Sequence, residues 1–243
     1  MVLEVAGYHG LKSGELERTW IDKKADITDN HVYIDGHPVM ESWEQPYMAA
    51  LARKAASRGG KVLEVGFGLA LSARAFQECD IQEHVIIEAN ADVFKKLVSW
   101  AAQQKHKVTP LFGLWQDVVH SLPSNDFDGI MYDTYPQNAE QQHVHQFGFL
   151  KHARRLLKPV GILTYCNLTS LGVLRAEYSD PTKTDEENWR LLFEATQKPH
   201  LLKDCGFKEE EIREFELHSL VPPKECAYYQ HHTQLIPVLV KAN

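Results

Sequence analysis

Residues 61–70 read KVLEVGFGLA, an apolar run that is interrupted by Gly66 and Gly68 and then continues with a helical pattern. A second apolar run, HVIIEAN, reaches Glu88 near its end. A strand, a glycine turn that opens a helix and an acid at the tip of the next strand predict a nucleotide crevice, because glycine permits close backbone approach and an acid can hold a ribose diol. Leu71 replaces the third glycine of the dinucleotide motif G-x-G-x-x-G, which favours a nucleoside without phosphates, such as S-adenosylmethionine. The alternative is a tight turn that binds no ligand.

The rest of the chain alternates between strand and helix patterns. Predicted strands cover residues 61–65, 84–88, 107–112, 127–132, 161–166, 213–220 and 235–241, and predicted helices cover 70–77, 91–104, 142–157 and 187–205. Such alternation is typical of a parallel sheet with helices on both faces. The last two strands have no helix between them, so we expect an antiparallel pair. The predicted fold is α/β: a Rossmann-like class I methyltransferase with a seven-stranded, mostly parallel sheet.

Ahead of the first sheet strand, the sequence predicts an N-terminal arm or lid over residues 1–30 and a methyltransferase domain over residues 31–243. The arm is polar and weakly periodic, and Trp20 is expected either to anchor it on the body or to form part of a lid. Residues 38–60 carry apolar residues at helical spacing and end on two glycines, which predicts a helix. Pro46 should start a new first turn of that helix or kink it.

The composition limits the classes of protein that the chain can belong to. Its 243 residues are 44% hydrophobic, enough for one full α/β core, and the formal net charge of −7 argues against general nucleic-acid binding. No apolar run approaches the roughly 20 residues that a membrane span needs. The start of the chain lacks a cleavable signal pattern, and the four cysteines include no C-x-x-C pair. We therefore expect a soluble, cytoplasmic protein with reduced cysteines that is a monomer or a homodimer.

Polar residues at the predicted strand ends are the candidate ligand contacts, because ligands of open α/β sheets bind there. Glu88 can hold a ribose or be an ordinary solvated strand end. Glu64 can cap the neighbouring helix, or contact the ammonium group of the ligand. Gln116 can begin a helix or contact the ligand, and Trp115 can stack near an adenine.

Two acids point to the chemistry of the second ligand. Asp133 directly follows an apolar strand in FDGIMYDTYP, and a buried carboxylate is costly without a positive partner. Glu44 lies in the segment that precedes the glycine turn. If that segment folds over the strand tips, the two carboxylates share a pocket, and the planar fork of a guanidinium suits such a pair. Glu44 on a solvated helix face is the alternative.

The histidines and cysteines do not predict a metal site or a nucleophile. His143-x-His145 and His231-His232 lack an acid or cysteine at useful spacing, and helical residues two apart do not share a face. Cys166 lacks a matching His-Asp arrangement, so we expect a buried structural thiol.

At this point several segments together resemble the guanidinoacetate N-methyltransferase family. They are GHPVMESWEQPYM, KVLEVGFGLA, HVIIEAN, FDGIMYDTYP, LLKPVGILTYCNLTS and the late LVPP-x-x-C-x-YY, in the family's order, from about His31 to the C-terminus. The resemblance implies methyl transfer from S-adenosylmethionine to guanidinoacetate, which gives creatine and S-adenosylhomocysteine.

The resemblance also implies site residues, which join those at the strand ends. The candidate cofactor contacts are Met40, Met48, Glu64, Gly66, Phe67, Gly68, Leu69, Ala70, Leu71, Ser72, Glu88, Ala89, Asn90, Trp115, Gln116 and Asp133. The candidate substrate contacts are Trp20, Met40, Glu44, Asp133, Leu168, Thr169 and Ser170. Within these sets, Glu44 and Asp133 are the catalytic candidates that grip the guanidinium, and Trp20 and Met40 close over the ligands. No metal ligand is implied.

The chain departs from the family pattern in several places. Gln116 stands where the family has Glu, Ala89 where a cysteine is familiar, and KPVG where K-P-G-G is common. The segment of residues 179–192 is longer than the matching segment of the family. It follows the fifth predicted strand of the sheet, near the expected substrate entrance. The acceptor could therefore be arginine, free or within a protein. A nicotinamide-dependent oxidoreductase and an inactive cofactor-binding subunit are the alternatives of other classes.

Overall fold

A computed structural model describes residues 19–136, 141–213, 215–226 and 228–243. Its strands are β1 (Ala25–Ile27), β2 (His31–Ile34), β3 (His37–Glu41), β4 (Gly60–Val65), β5 (Ile81–Glu88), β6 (Lys107–Phe112), β7 (Phe127–Tyr132), β8 (Leu157–Tyr165), β9 (Glu216–Ser219), β10 (Thr233–Ile236) and β11 (Leu239–Val240). Its α-helices are α1 (Gln45–Ala55), α2 (Leu71–Glu78), α3 (Ala91–Ala101), α4 (Trp115–Val118), α5 (His145–Leu156), α6 (Leu168–Glu177), α7 (Asp185–Thr196) and α8 (Lys198–Lys203). None of the helices in these ranges is both long and apolar enough to cross a bilayer.

The central sheet has the strand order β11-β8-β7-β4-β5-β6. Its strands run parallel except β11, which pairs antiparallel with β8. The chain moves outward from β4 to β5 and β6, and then crosses back to place β7 on the other side of β4. The strand order therefore reverses at β4, and crevices for ligands form beyond the carboxyl ends of the strands at such a point.

Alternate residues of the central strands pack into two separate hydrophobic cores, one on each face of the sheet. On β4, Val62 packs with the helices α1, α2 and α3, whereas Leu63 packs with α5 on the opposite face. Ile86 and Val85 of β5 divide in the same way. Because both faces are covered, these strands are almost continuously apolar, which is the pattern that made them recognisable in the sequence.

The predicted Rossmann-like fold is confirmed, but the sheet has six strands instead of the predicted seven. The segment predicted as one strand over residues 235–241 is two strands, β10 and β11, that separate at Pro237. Proline cannot donate a ladder hydrogen bond, so pairing is interrupted there. As a result β10 forms the expected antiparallel pair with β9 apart from the main sheet, while β11 joins β8. The helix predicted over residues 187–205 likewise divides into α7 and α8, with Pro199 in the first turn of α8.

The prediction of a helix from residue 38 was wrong for its first part. Residues 37–41 form β3, which pairs antiparallel with β2, and the connecting Asp35 and Gly36 both have positive φ. An Asp-Gly pair of this kind makes the two-residue turn of a β-hairpin, a signal that outweighs the apolar spacing. The helix α1 begins only at Gln45, with Pro46 in its first turn as predicted.

The division into an arm (1–30) and a domain (31–243) stays a prediction. Residues 25–27 of the predicted arm form β1, which pairs with β2 in a three-stranded antiparallel sheet. This part of the arm therefore has regular structure. Residues 1–18 lie outside the described residues.

Candidate functional site

A cavity of about 570 Å³ opens at the carboxyl ends of the central strands, and residues of β2 and β3 also line it. Its volume is in the range of pockets that bind small molecules. Of the residues predicted as contacts, those that line it are Trp20, Met40, Glu44, Gly66, Phe67, Gly68, Glu88, Ala89, Trp115, Gln116, Asp133, Leu168 and Thr169. Residues 179–192 do not line it, so the long segment is not part of the cavity wall.

The glycine turn after β4 sets the position of Asp133. Gly66 has a φ of 95°, and a Cβ atom at this residue would lie 1.9 Å from the carbonyl oxygen of Asp133. The amide N–H of Asp133 donates to the carbonyl oxygen of Val65 at 2.9 Å. Only glycine therefore permits the end of β4 to pass so close to the end of β7.

Glu88, at the tip of β5, has a carboxylate that backbone groups hold in place. Its Oε2 accepts the N–H of Phe67 at 3.0 Å, and its Oε1 accepts the N–H of Asn90 at 2.7 Å. Burial raises the pKa of Glu88, although these backbone donors oppose the shift. Each carboxylate oxygen can accept a second hydrogen bond, which is what the two hydroxyls of a ribose require.

The side-chain amide oxygen of Gln116 is a hydrogen-bond acceptor at the cavity. This oxygen, Oε1, is buried and has no hydrogen-bond partner among the described residues. Gln116 lines the cavity beside Trp115, whose ring packs edge-on against Phe149 at 5.6 Å. A buried acceptor with no partner is costly, and an adenine amino group would satisfy it. The residues present therefore fit an adenosyl group, with Glu88 at the ribose and Gln116 at the base.

Glu44 and Asp133 line the same cavity, from the turn before α1 and from the end of β7. Burial, followed by the charge of Asp133, raises the pKa of Glu44 to about 8. Asp133 is only partly shielded, but its exposure is to the cavity, and burial followed by the charge of Glu64 raises its pKa to about 6. Neither acid has an ion pair with a lysine or arginine of the described ranges. A cationic ligand would relieve both desolvation and mutual repulsion.

The N-terminus of α6 faces the cavity without a side-chain cap. Its N-cap residue is Asn167, whose Nδ2 donates to Gln146 Oε1 at 2.8 Å and to the carbonyl of Gln142 at 3.1 Å. The first residues of the helix, Leu168 and Thr169, line the cavity. The first N–H groups of a helix have no intrahelical acceptor, so this end of the cavity suits an anion.

A stacked aromatic pair forms part of the cavity wall. The rings of Trp20 and Tyr135 stack at 5.6 Å with an interplanar angle of 4°. Asn90 does not line the cavity, but its Nδ2 donates to the carbonyls of Trp20 at 3.1 Å and Lys23 at 2.7 Å, which holds this segment down. Met40 Sδ accepts the N–H of Leu69 at 3.2 Å, which fixes β3 against the glycine turn.

Several predicted contacts lie behind the cavity wall instead of on it. Asn90 Oδ1 caps α3 by accepting the N–H groups of Asp92 and Val93. Glu64 is fully buried, accepts a hydrogen bond from Ser72 Oγ, and lies 2.9 Å from His84 Nε2. Ser170 Oγ is 2.6 Å from His143 Nδ1. The predicted contacts that do not line the cavity are Met48, Glu64, Leu69, Ala70, Leu71, Ser72, Asn90 and Ser170.

Several residues that line the cavity were not predicted from the sequence, among them Lys151, His200, Asp204, His145 and Tyr228. Tyr228 lines the cavity and places its hydroxyl 2.9 Å from Glu44 Oε1. The only available signal was its place in the late YY motif, since 184 positions separate it from Glu44. His145 also lines the cavity, with Nε2 donating to the carbonyl of Thr134 at 3.0 Å. Burial lowers the pKa of His145 to about 4, so the ring is neutral at pH 7.

Three histidines of the two pairs have structural partners. His231 Nε2 donates to the carbonyl of Gly172 at 2.8 Å, while His143 and His145 bind Ser170 and Thr134 as described above. Across the described ranges, no group of three or more His, Cys, Asp or Glu residues is arranged to hold a metal ion.

The fold and the cavity at its switch point define the class of protein: an S-adenosylmethionine-dependent class I methyltransferase, with S-adenosylmethionine as its cofactor. The chain belongs to the guanidinoacetate N-methyltransferase family, whose model matches residues 11–242. The match begins about twenty residues earlier than the likeness recognised in the sequence. The family match therefore argues against the alternative of a nicotinamide-dependent oxidoreductase.

Solved structures share the fold at low sequence identity. The O-methyltransferase from Bacillus cereus in complex with SAH has a TM-score of 0.53 and is 16% identical, over 83% of this chain and 82% of that chain. A spermidine synthase from Thermotoga maritima has a TM-score of 0.53 and is 14% identical, over 90% of this chain and 72% of that chain. Among curated proteins, the protein arginine N-methyltransferase 2 of Yarrowia lipolytica is 35% identical over 158 residues. That alignment covers 60% of this chain but 32% of the relative.

Proposed function

We propose that this protein methylates the guanidino group of a small acid, with guanidinoacetate as the acceptor and creatine as the product. The observation that carries the proposal is a single cavity with two opposite preferences. Glu44 and Asp133, which have no basic partner among the described residues, favour a cation, and the uncapped start of α6 at Leu168 and Thr169 favours an anion. Guanidinoacetate carries one group of each kind.

The adenosyl group would be held by Glu88 at the ribose hydroxyls, by Gln116 at the adenine amino group, and by the glycine turn of residues 66–68. When bound, S-adenosylmethionine supplies an electrophilic methyl group on a sulfonium sulfur. The protein then needs neither a metal ion nor a covalent intermediate, and its task is to prepare the nucleophile.

The difficulty is that a protonated guanidinium has no free lone pair. Glu44 and Asp133 accept hydrogen bonds from it, offset its charge and fix one nitrogen, with reacting atoms about 3 Å apart as in other oriented reactions. Asp133 accepts the proton as that nitrogen attacks, since a base acts best when its pKa is near the working pH. The neutral His145 holds the backbone at Thr134, next to Asp133, and so keeps the base in position.

Arginine is the second candidate acceptor, because the curated relatives are named protein arginine N-methyltransferase 2. Free arginine needs an added acid for its α-ammonium group, and Asp185 of the long segment 179–192 is the candidate. Asp185 is already bound to Arg175 at 2.9 Å and to Thr233 Oγ1 at 2.6 Å, away from the cavity. An arginine side chain within a protein would leave the N-terminus of α6 without an anion. Both points favour guanidinoacetate.

An acceptor screen tests the proposal. The protein is incubated with S-adenosylmethionine labelled in the methyl group and, separately, with guanidinoacetate, free arginine and an arginine-rich protein. We expect label in creatine only. Transfer to arginine or to the protein, with none to guanidinoacetate, would replace the proposed acceptor. The same assay with Glu44→Gln controls for methylation that does not depend on the acid pair.

A further inference from the structure

The hydroxyl of Tyr228 lies between two carboxyl groups that belong to different environments. It is 2.9 Å from Glu44 Oε1, which faces the cavity, and 3.0 Å from Glu41 Oε2, which lies outside the cavity lining. Glu44 is 5% exposed, whereas Glu41 is partly exposed to solvent. The three groups therefore form a chain of short contacts from the buried acid of the site towards the surface.

These contacts contain too few hydrogens for two ionised carboxylates. A tyrosine hydroxyl carries one hydrogen, and an ionised carboxylate only accepts. Glu41 already receives hydrogen bonds from Tyr33 Oη at 3.0 Å and from Trp43 Nε1 at 2.7 Å, which suits its ionised form. If Tyr228 donates to Glu41, its contact with Glu44 is satisfied only when Glu44 is the donor, as a carboxylic acid.

We propose that Glu44, Tyr228 and Glu41 form a proton chain that keeps Glu44 neutral in the substrate-free protein and releases one proton through Glu41 when a guanidinium cation binds. The O–H bond of Glu44 breaks, its proton moves to the oxygen of Tyr228, and the hydrogen of Tyr228 moves to Glu41 and then to water. Tyr228 and Glu41 are positioning residues, since of these three groups only Glu44 binds the substrate. The inference rests on the proposed binding of a guanidino compound.

Burial and the neighbouring carboxylates raise the pKa of Glu44, and they outweigh the backbone N–H of Glu41, 2.9 Å from Glu44 Oε1, and the Tyr228 hydroxyl, which lower it. The groups that act on Glu44 electrostatically are the carboxylates of Asp133 and Glu41, the phenol of Tyr228 and the thiols of Cys166 and Cys226. Burial and the neighbouring carboxylates raise the pKa of Tyr228, and burial raises the pKa of both thiols, so these three groups stay protonated at pH 7. The surroundings of Glu44 are thus neutral or negative, and they become favourable for its anion only when the cation arrives.

The proton chain has a consequence for the binding of the guanidino compound. A cation that displaces a proton leaves the net charge of the buried site unchanged, so the site never holds two unpaired carboxylates. Because the proton is released to solvent, the affinity for the guanidino compound should rise with pH until Glu44 ionises without ligand. Above that pH the number of protons released should fall towards zero.

Calorimetry measures this proton. Guanidinoacetate is titrated into the complex of the protein with S-adenosylhomocysteine at pH 7, in phosphate and in Tris, whose ionisation enthalpies differ. We expect release of close to one proton per guanidinoacetate in the wild type. In Tyr228→Phe the neutral form of Glu44 loses the acceptor of its proton, so release should fall below half. Tyr33→Phe is the matched control, because it removes a donor to Glu41 that does not contact Glu44, and its release should equal that of the wild type.

Infrared difference spectra test the proton without any ligand. The wild type at pH 7 should show a carboxylic-acid C=O band that is absent in Glu44→Gln. The band should shift in Tyr228→Phe, which loses the hydrogen-bond acceptor, and stay in place in Tyr33→Phe. If guanidinoacetate fails to bind while the band behaves in this way, the proposed function fails and the proton assignment stands. No proton release on binding, no such band, or equal release in the wild type and Tyr228→Phe would overturn the inference.

Discussion

Replacing Asp133 by Asn separates the proposed base from the other features of the cavity. Asn keeps the size of the side chain and a carbonyl oxygen for the hydrogen bond from Cys166, and the backbone contact to Val65 is unaffected. The variant should therefore fold, with a melting temperature no lower than that of the wild type, because it removes a desolvated carboxylate that pairs with no lysine or arginine of the described part of the chain. What it loses is the proton acceptor and one negative charge beside the guanidinium.

The expected loss can be estimated from the role of a general base. Such a group contributes about 10²- to 10⁴-fold to rate, which corresponds to about 2.7–5.4 kcal/mol of transition-state stabilisation. We expect single-turnover methyl transfer, at saturating guanidinoacetate and S-adenosylmethionine, to slow by that factor. Saturation excludes weaker binding as the cause.

Asp117→Asn is the matched control for this experiment. Asp117 is an exposed acid of α4 that follows Gln116 but does not line the cavity, so its substitution removes the same charge from the same region. Its single-turnover rate should equal that of the wild type. A rate for Asp133→Asn within a few fold of wild type would show that Asp133 is not the base, and would leave positioning by Glu44 as the source of the rate.

Three further predictions concern the cofactor and the acids. Glu88→Gln offers one acceptor oxygen in place of two, so affinity for S-adenosylhomocysteine should fall about ten- to a hundredfold, from about 1.5–3 kcal/mol per charged hydrogen bond; an unchanged Kd by calorimetry contradicts a ribose contact. Gln116→Leu removes the orphaned acceptor and should weaken the same Kd by about tenfold, with the Kd for guanidinoacetate unaltered as the control. Because the pKa of Glu44 is raised to about 8, the folded state binds a proton that the unfolded state has lost above pH 4.5, so stability falls as pH rises from about 4.5 to 8. Glu44→Gln lacks this loss, so the melting temperature of the variant should rise relative to that of the wild type between about pH 4.5 and 8. If the two melting temperatures change with pH in parallel, the pKa of Glu44 is not raised.

The sheet was largely predictable because its signals are local. Strands buried on both faces are short apolar runs, and the glycine turn at residues 66–68 marks the strand-to-helix transition within a few positions. The errors had local causes as well. The Asp35-Gly36 hairpin turn outweighed helical spacing in residues 38–41, and Pro237 divided the last strand.

The cavity was predictable only in part, because side-chain partners depend on packing. Asn90 was a predicted cofactor contact, yet its amide caps α3 and holds the backbone at residues 20 and 23. Nothing within a few positions of Asn90 indicates that the N-terminal segment would pass beside it. The long segment at residues 179–192 stays off the cavity, since Arg175 and Thr233 hold its Asp185 elsewhere.

Local sequence patterns specify the strand–helix alternation, the glycine turn, and the two acids as candidates, because each is encoded by a few neighbouring residues. Packing of the elements brings the two acids to one cavity and opens the uncapped start of α6 into it. The same packing places Tyr228 between Glu41 and Glu44, across more than 180 positions of chain. Hydrophobic periodicity specifies which face of an element is buried, but the distance between two remote side chains follows from how the elements pack and where the loops close.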